Sequence, residues 1–76
     1  MSDEAADPNR MAKRSVVLAG HRTSVSLENA FWDQLKRLAA ADGCSINALV
    51  ERIDAQRTGN LSSALRVHVL QRLTEG

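Results

Sequence analysis

Sulfur staples and metal frameworks are the first structures this sequence excludes. It has one cysteine, Cys44, and two histidines, His21 and His68, far from it and in no ligand spacing. A disulfide framework and a structural zinc site both need more. Aromatic side chains are almost as scarce, with one Phe, one Trp and no Tyr among 76 residues, so no stacking platform for a planar ligand is expected. No phosphate-binding glycine loop occurs, and two separated histidines and one thiol do not assemble a nucleophile, a base and an orienting group. Neither enzymatic activity nor a cofactor is expected. No apolar run reaches the length of a membrane span. The opening MSDEAADPNR is acidic and lacks the apolar core of a secretion signal, so the expected setting is the reducing cytoplasm.

What the chain does contain is aliphatic. Hydrophobic residues make up 43% of it, mostly Ala, Leu and Val, which suits helices packed through small side chains. A domain this short sits near the lower limit for a self-sufficient core, and without staples it tends to share one with a second copy. Charge is segregated. Residues 1–9 carry acids and no base, whereas residues 10–27 carry Arg10, Lys13, Arg14 and Arg22 and no acid; beyond that the two signs balance. A solvated surface accounts for the basic stretch as well as a nucleic-acid contact does. In the second case Lys13, Arg14 and Arg22 face phosphates or bases.

Residues 1–12 are polar, Ala-rich and broken by Pro8, and read as a tail without fixed structure. Residues 13–76 form the expected single domain. It begins with KRSVVLAG and HRTSVSLE. In HRTSVSLE, Thr23, Val25 and Leu27 alternate with Arg22, Ser24 and Ser26, the period of a half-buried strand. Two arrangements are open for SVVLAG. It either stays a loose arm or forms a hairpin through a Gly20-His21 turn, pairing Leu18 with Thr23 and Val16 with Val25. Ser26 or Glu28 then opens a helix with the stripe Phe31, Leu35, Leu38 and Ala39, flanked by Trp32 and ended at Asp42-Gly43. Ser45 is the expected N-cap of a second helix with the stripe Ile46, Leu49, Val50 and Ile53, ending near Arg57. A third helix, LSSALRVHVLQRL, is capped by Asn60 or Ser62 and is apolar enough to be core or interface.

A strand with an open edge needs a ladder partner, and the nearest is the same strand in a second copy about a two-fold axis. The expected dimer core comprises Val25, Leu27, Phe31, Trp32, Leu35, Leu49, Val50 and Ile53. Arg22, Ser24 and Ser26 of both chains would then share the outer face of a ribbon narrow enough for the major groove. The start of the second helix, at Ser45 and Asn47, offers free backbone N–H groups to a phosphate.

The order RTSVSLE, FWDQLKRLAAADG, CSINALVERI, with the spacing Leu27, Phe31, Leu35, Leu38 and the turn Gly43-x-Ser45-x-Asn47-x-x-Val50, resembles the ribbon-helix-helix family of dimeric DNA-binding proteins. The resemblance covers about residues 21–55. It implies a mostly α fold with a short β ribbon and an intertwined homodimer, here extended by a third, C-terminal helix. It also implies base readers at Arg22, Ser24 and Ser26 and a phosphate clamp at Ser45 and Asn47. Members typically repress transcription, many as antitoxins that also bind a toxin. A protein partner held by the C-terminal helix, through Leu65 or Val69, is the alternative expectation. If SVVLAG forms a hairpin, the outer face also gains Val17 and Ala19, which suits a protein contact.

Overall fold

A computed structural model describes residues 7–75. It contains two strands, β1 (Met11–Leu18) and β2 (His21–Glu28), followed by three helices, α1 (Asn29–Ala41), α2 (Ile46–Gln56) and α3 (Leu61–Glu75). The fold is the expected mostly α architecture with a short β ribbon and an added C-terminal helix. Of the expected tail, residues 1–6 lie outside the described residues, whereas Met11 and Ala12 already belong to β1.

SVVLAG is the distal part of a hairpin. β1 and β2 pair antiparallel from Leu18 opposite His21 to Met11 opposite Glu28. The turn sits one residue earlier than expected, at Ala19-Gly20, and both residues have positive φ, 52° and 81°. That is a type I′ turn, whose twist matches the strands it joins. Val16 therefore faces Thr23 and Arg14 faces Val25, in place of the expected pairing of Leu18 with Thr23 and Val16 with Val25. The register is secured at the far end. Asn29 N–H donates to the Arg10 carbonyl at 2.9 Å and Ala30 N–H to the Pro8 carbonyl at 3.1 Å, continuing the pairing beyond β2.

Those two bonds also decide how α1 starts. Glu28 occupies the cap position, but its side chain makes no cap bond. Backbone carbonyls of residues 8–10 take over two of the N–H groups that every helix start leaves unpaired. At its other end α1 stops at Gly43, where φ is +72°, the left-handed geometry that glycine adopts without a Cβ penalty. Ser45 caps α2 as expected, its hydroxyl accepting from Ala48 N–H at 3.0 Å. Of the two candidates for α3, Asn60 is the cap, its side-chain oxygen accepting from Ser63 N–H at 2.8 Å.

The hairpin's inner face and the three helices enclose one core: Val16, Val25, Leu27, Trp32, Leu35, Ala39, Leu49, Val50, Ile53, Leu65 and Val69. Leu27, Leu35, Val50 and Leu65 are fully buried. The residues expected to need a second copy are thus buried within one chain, with Phe31 half-buried against them. β1 and α3 supply the cover that a bare strand and two helices lack. Leu65 and Val69, expected as partner contacts, are core residues.

Ala19 is the strained point of this arrangement, since a side chain in the left-handed region costs roughly 1–2 kcal/mol. Replacing it by asparagine, which adopts that conformation readily, is expected to stabilise the protein by about 1 kcal/mol and raise the melting temperature by roughly 4–8 °C. A thermal melt of Ala19→Asn at or below the parent's would contradict the turn assignment.

Candidate nucleic-acid interface

Alternation along the hairpin sorts its side chains into two faces. On the outer face Val17 lies opposite Arg22, Ser15 opposite Ser24, and Lys13 opposite Ser26. All are exposed except Ser26, which is half-buried. Four of the seven expected DNA-contacting residues, Lys13, Arg22, Ser24 and Ser26, thus converge on one surface. Met11 opposite Glu28 closes its end. Glu28 does not oppose the basic character of this face, because Arg66 of α3 donates to its carboxylate at 2.9 Å. That bond holds the carboxyl below its ordinary pKa.

Arg14 belongs elsewhere. It shares the parity of Val16 and Leu18 and turns inward, where its guanidinium lies 5.3 Å from the Trp32 ring centroid and donates to Asn29 Oδ1 at 2.9 Å. Asn29, buried at the start of α1, passes its amide N–H to the Asp7 carbonyl at 2.9 Å. Arg14 is therefore a half-buried cation held over an aromatic face, and it is not part of the outer surface. Its position was visible in the sequence, since an even-numbered residue on β1 must share a face with Val16.

The side chain of Asn47 has a task that was not expected. Its amide donates to the Val17 carbonyl at 2.9 Å and accepts from Val17 N–H at 2.8 Å. Both outward-facing backbone groups of Val17 are thus occupied, as a neighbouring strand would occupy them, and the free edge of β1 is covered there. β2 is covered at one point too: the Ser62 hydroxyl donates to the Ser26 carbonyl at 2.9 Å. The hydroxyl of Ser45 is engaged as a helix cap. Val17 takes the outer-face position expected for a hairpin, whereas sequence reasoning missed Ser15 and the bridging roles of Asn47 and Ser62. Strand parity would have identified Ser15 once the hairpin was settled. The two bridges join residues 30 and 36 positions apart, and no local pattern reveals them.

Away from the hairpin, the three helices are joined at one carboxylate. Asp42, at the end of α1, accepts two bonds from Arg72 of α3 at 2.9 and 3.0 Å and one from Arg52 of α2 at 3.2 Å. The Arg72 hydrogen bonds keep Asp42 ionised to lower pH than usual, and Asp42 in turn raises Arg72. His68, one turn before Arg72, has a buried Nε2 without a partner. Burial first, and then the positive charge of Arg72, lower its pKa below 6.5. Among the described residues no three of His, Cys, Asp and Glu converge as a metal site, and no helix is long and apolar enough to cross a membrane.

A family model described as the ribbon-helix-helix domain matches residues 11–73, from the first residue of β1 into the last turns of α3. The chain belongs to the ribbon-helix-helix family. Proteins of this family generally dimerise and bind DNA, typically as regulators or antitoxins, and the family is not an enzymatic one. Among solved structures, the chain is similar to an uncharacterized protein from Bordetella pertussis Tohama I, with 36% sequence identity and a TM-score of 0.76. The match covers 88% of this chain and 58% of that one, so this ribbon-helix-helix chain spans little more than half the length of its relative. Comparison with curated proteins gives no match.

The shifted groups carry a pH dependence with a definite sign. His68 and Asp42 both have folded pKa values lower than unfolded ones, so the unfolded chain binds more protons across each window. Stability is therefore full above the unfolded values and falls as pH drops, first through the His68 range below 6.5 and then through the Asp42 range below 3.8. Thermal melts between pH 7.5 and 5 are expected to show a decline that His68→Gln flattens. An equal decline in both proteins would place its origin elsewhere.

Proposed function

We propose that this protein is a sequence-specific DNA-binding transcriptional regulator that acts as a homodimer in the cytoplasm. In this reading the β1–β2 hairpin of each chain lays its outer face in a major groove. One observation carries the proposal: Lys13, Ser15, Arg22, Ser24 and Ser26 share the outer face of a two-stranded ribbon whose only acid, Glu28, is neutralised by Arg66. Arg22 suits bidentate bonding to guanine, the serines suit either donor or acceptor edges, and Lys13 suits a phosphate or guanine. The start of α2, at Ser45 and Asn47, serves in this reading through its backbone N–H groups, which can hold a phosphate beside the groove.

Width decides which ribbon reads. Adjacent strands lie about 4.8 Å apart. Four strands, formed if two copies joined through the open Arg22–Ser24 edge of β2, would span about 14 Å between outer backbones. The major groove is about 12 Å wide. The hairpin of a single chain fits, and the doubled sheet does not. The reading element is therefore complete in one chain, and dimerisation serves to place two such elements on successive half-sites.

DNA affinity is expected to fall steeply with salt as phosphate contacts release counterions. Arg22→Ala is expected to weaken specific binding by roughly 1–3 kcal/mol, measured by fluorescence anisotropy. Arg14→Ala is expected to lower thermal stability and leave specificity unaltered. Absence of any DNA binding at low salt would refute the proposal.

A second reading is favoured by α3. Its outer surface exposes Val67, Leu70 and Leu73, each more than half accessible, while its inner face is already in the core. An apolar stripe of this kind marks an interaction surface, for a second copy or for a protein partner in the antitoxin manner. Sedimentation equilibrium is expected to show self-association that survives Arg22→Ala and weakens at least tenfold in Leu70→Lys. A dimer indifferent to Leu70→Lys would remove α3 from the interface.

A further inference from the structure

On the outer face of the hairpin one residue does not match its neighbours. Val17 is 42% exposed among Lys13, Ser15, Arg22 and Ser24, and is not a member of the core cluster. Its backbone N–H and C=O are both bonded to the Asn47 amide, at 2.8 and 2.9 Å. A β-branched side chain on a fixed backbone has few rotamers, so its two methyl groups are held in place beside Arg22. Resting on the DNA-binding reading above, we propose that Val17 is a specificity-determining residue, reading the 5-methyl group of a thymine beside the guanine bound by Arg22.

The register supports neighbouring base pairs. Val17 and Arg22 are directly opposite, and the outward-facing backbone of Val17 marks the pair as one that exchanges no ladder bonds. Such pairs bring Cα atoms to about 4.5 Å, close to the roughly 3.4 Å separation of successive bases on a strand. Arginine to guanine and an aliphatic group to the thymine methyl are the matches that the major groove offers to these two side chains. Asn47 is then a positioning residue that acts through Val17 and does not itself contact a base. It ties the reading strand to the start of α2, the element proposed to hold the phosphate, so base and backbone contacts share one rigid support.

The test uses the intact chain. Duplexes enriched from a random library are assayed by anisotropy at fixed salt with each thymine replaced in turn by uracil, which lacks only the methyl group. At one thymine beside the essential guanine, uracil is expected to weaken binding about fourfold, the worth of one buried methyl. Val17→Ser is expected to bind the thymine and uracil duplexes alike. Asn47→Ala is expected to lower the ratio of thymine to uracil affinity, a ratio that a general loss of binding does not change. Failure to enrich any sequence overturns the DNA reading itself. Enrichment of guanine without a uracil effect, or a uracil effect that persists in Val17→Ser, overturns the assignment of Val17 alone. A thymine preference untouched by Asn47→Ala removes Asn47 from its positioning role.

Discussion

The antiparallel ladder between Met11–Leu18 and His21–Glu28 is the constraint on which the rest of this molecule depends. It gives β2 a partner within its own chain, fixes which side chains face the helices, and leaves the others together on one exposed surface. Once Arg14 is opposite Val25, its guanidinium can reach both Trp32 and Asn29. Asn29 is then held at the point where α1 begins, and the carbonyls of residues 8–10 reach the first turn of that helix. A slip of one residue would move Arg14 to solvent and Lys13 into the core. The same ladder thus orders the interior and composes the surface.

Helices, their caps and the family were legible in the sequence. The stripe Phe31, Leu35, Leu38, the left-handed stop at Gly43 and the Ser45 cap are local signals, and each has a local physical cause. The hairpin was legible as one of two alternatives. Its turn was misplaced by one residue because Gly20 satisfies either a type I′ or a type II′ geometry, and Ala19 at positive φ is an uncommon choice. The register instead follows from contacts at the opposite end of the strands, between residues distant from each other along the chain. Arg14 shows the cost of reading charge before parity: grouped with Lys13 by composition, it sits on the other side of the sheet.

α3 explains why so short a chain encloses its own core. With Leu61, Ala64, Leu65 and Val69 toward the interior and Val67, Leu70 and Leu73 outward, it is apolar on both sides. A pattern apolar all round signals burial or contact, and this helix divides the two roles between its faces. Expecting Leu65 and Val69 at an interface recognised the apolar excess and assigned it to the wrong side. The Asp42 carboxylate, shared by Arg52 and Arg72, then orients α3 against the end of α1. Exposed ion pairs add little stability individually, so its value lies in fixing direction.

The amide of Asn47 has one more implication. By satisfying both backbone groups of Val17 it supplies the equivalent of one residue of a third strand, without a strand. Sheets with bare edges invite growth by accretion of further chains, the route to fibres. Here a side chain from the neighbouring helix blocks one position on the β1 side, and the Ser62 hydroxyl blocks one on the β2 side. The contacts that fasten the hairpin to the helices thus also shorten the edge along which another strand could add.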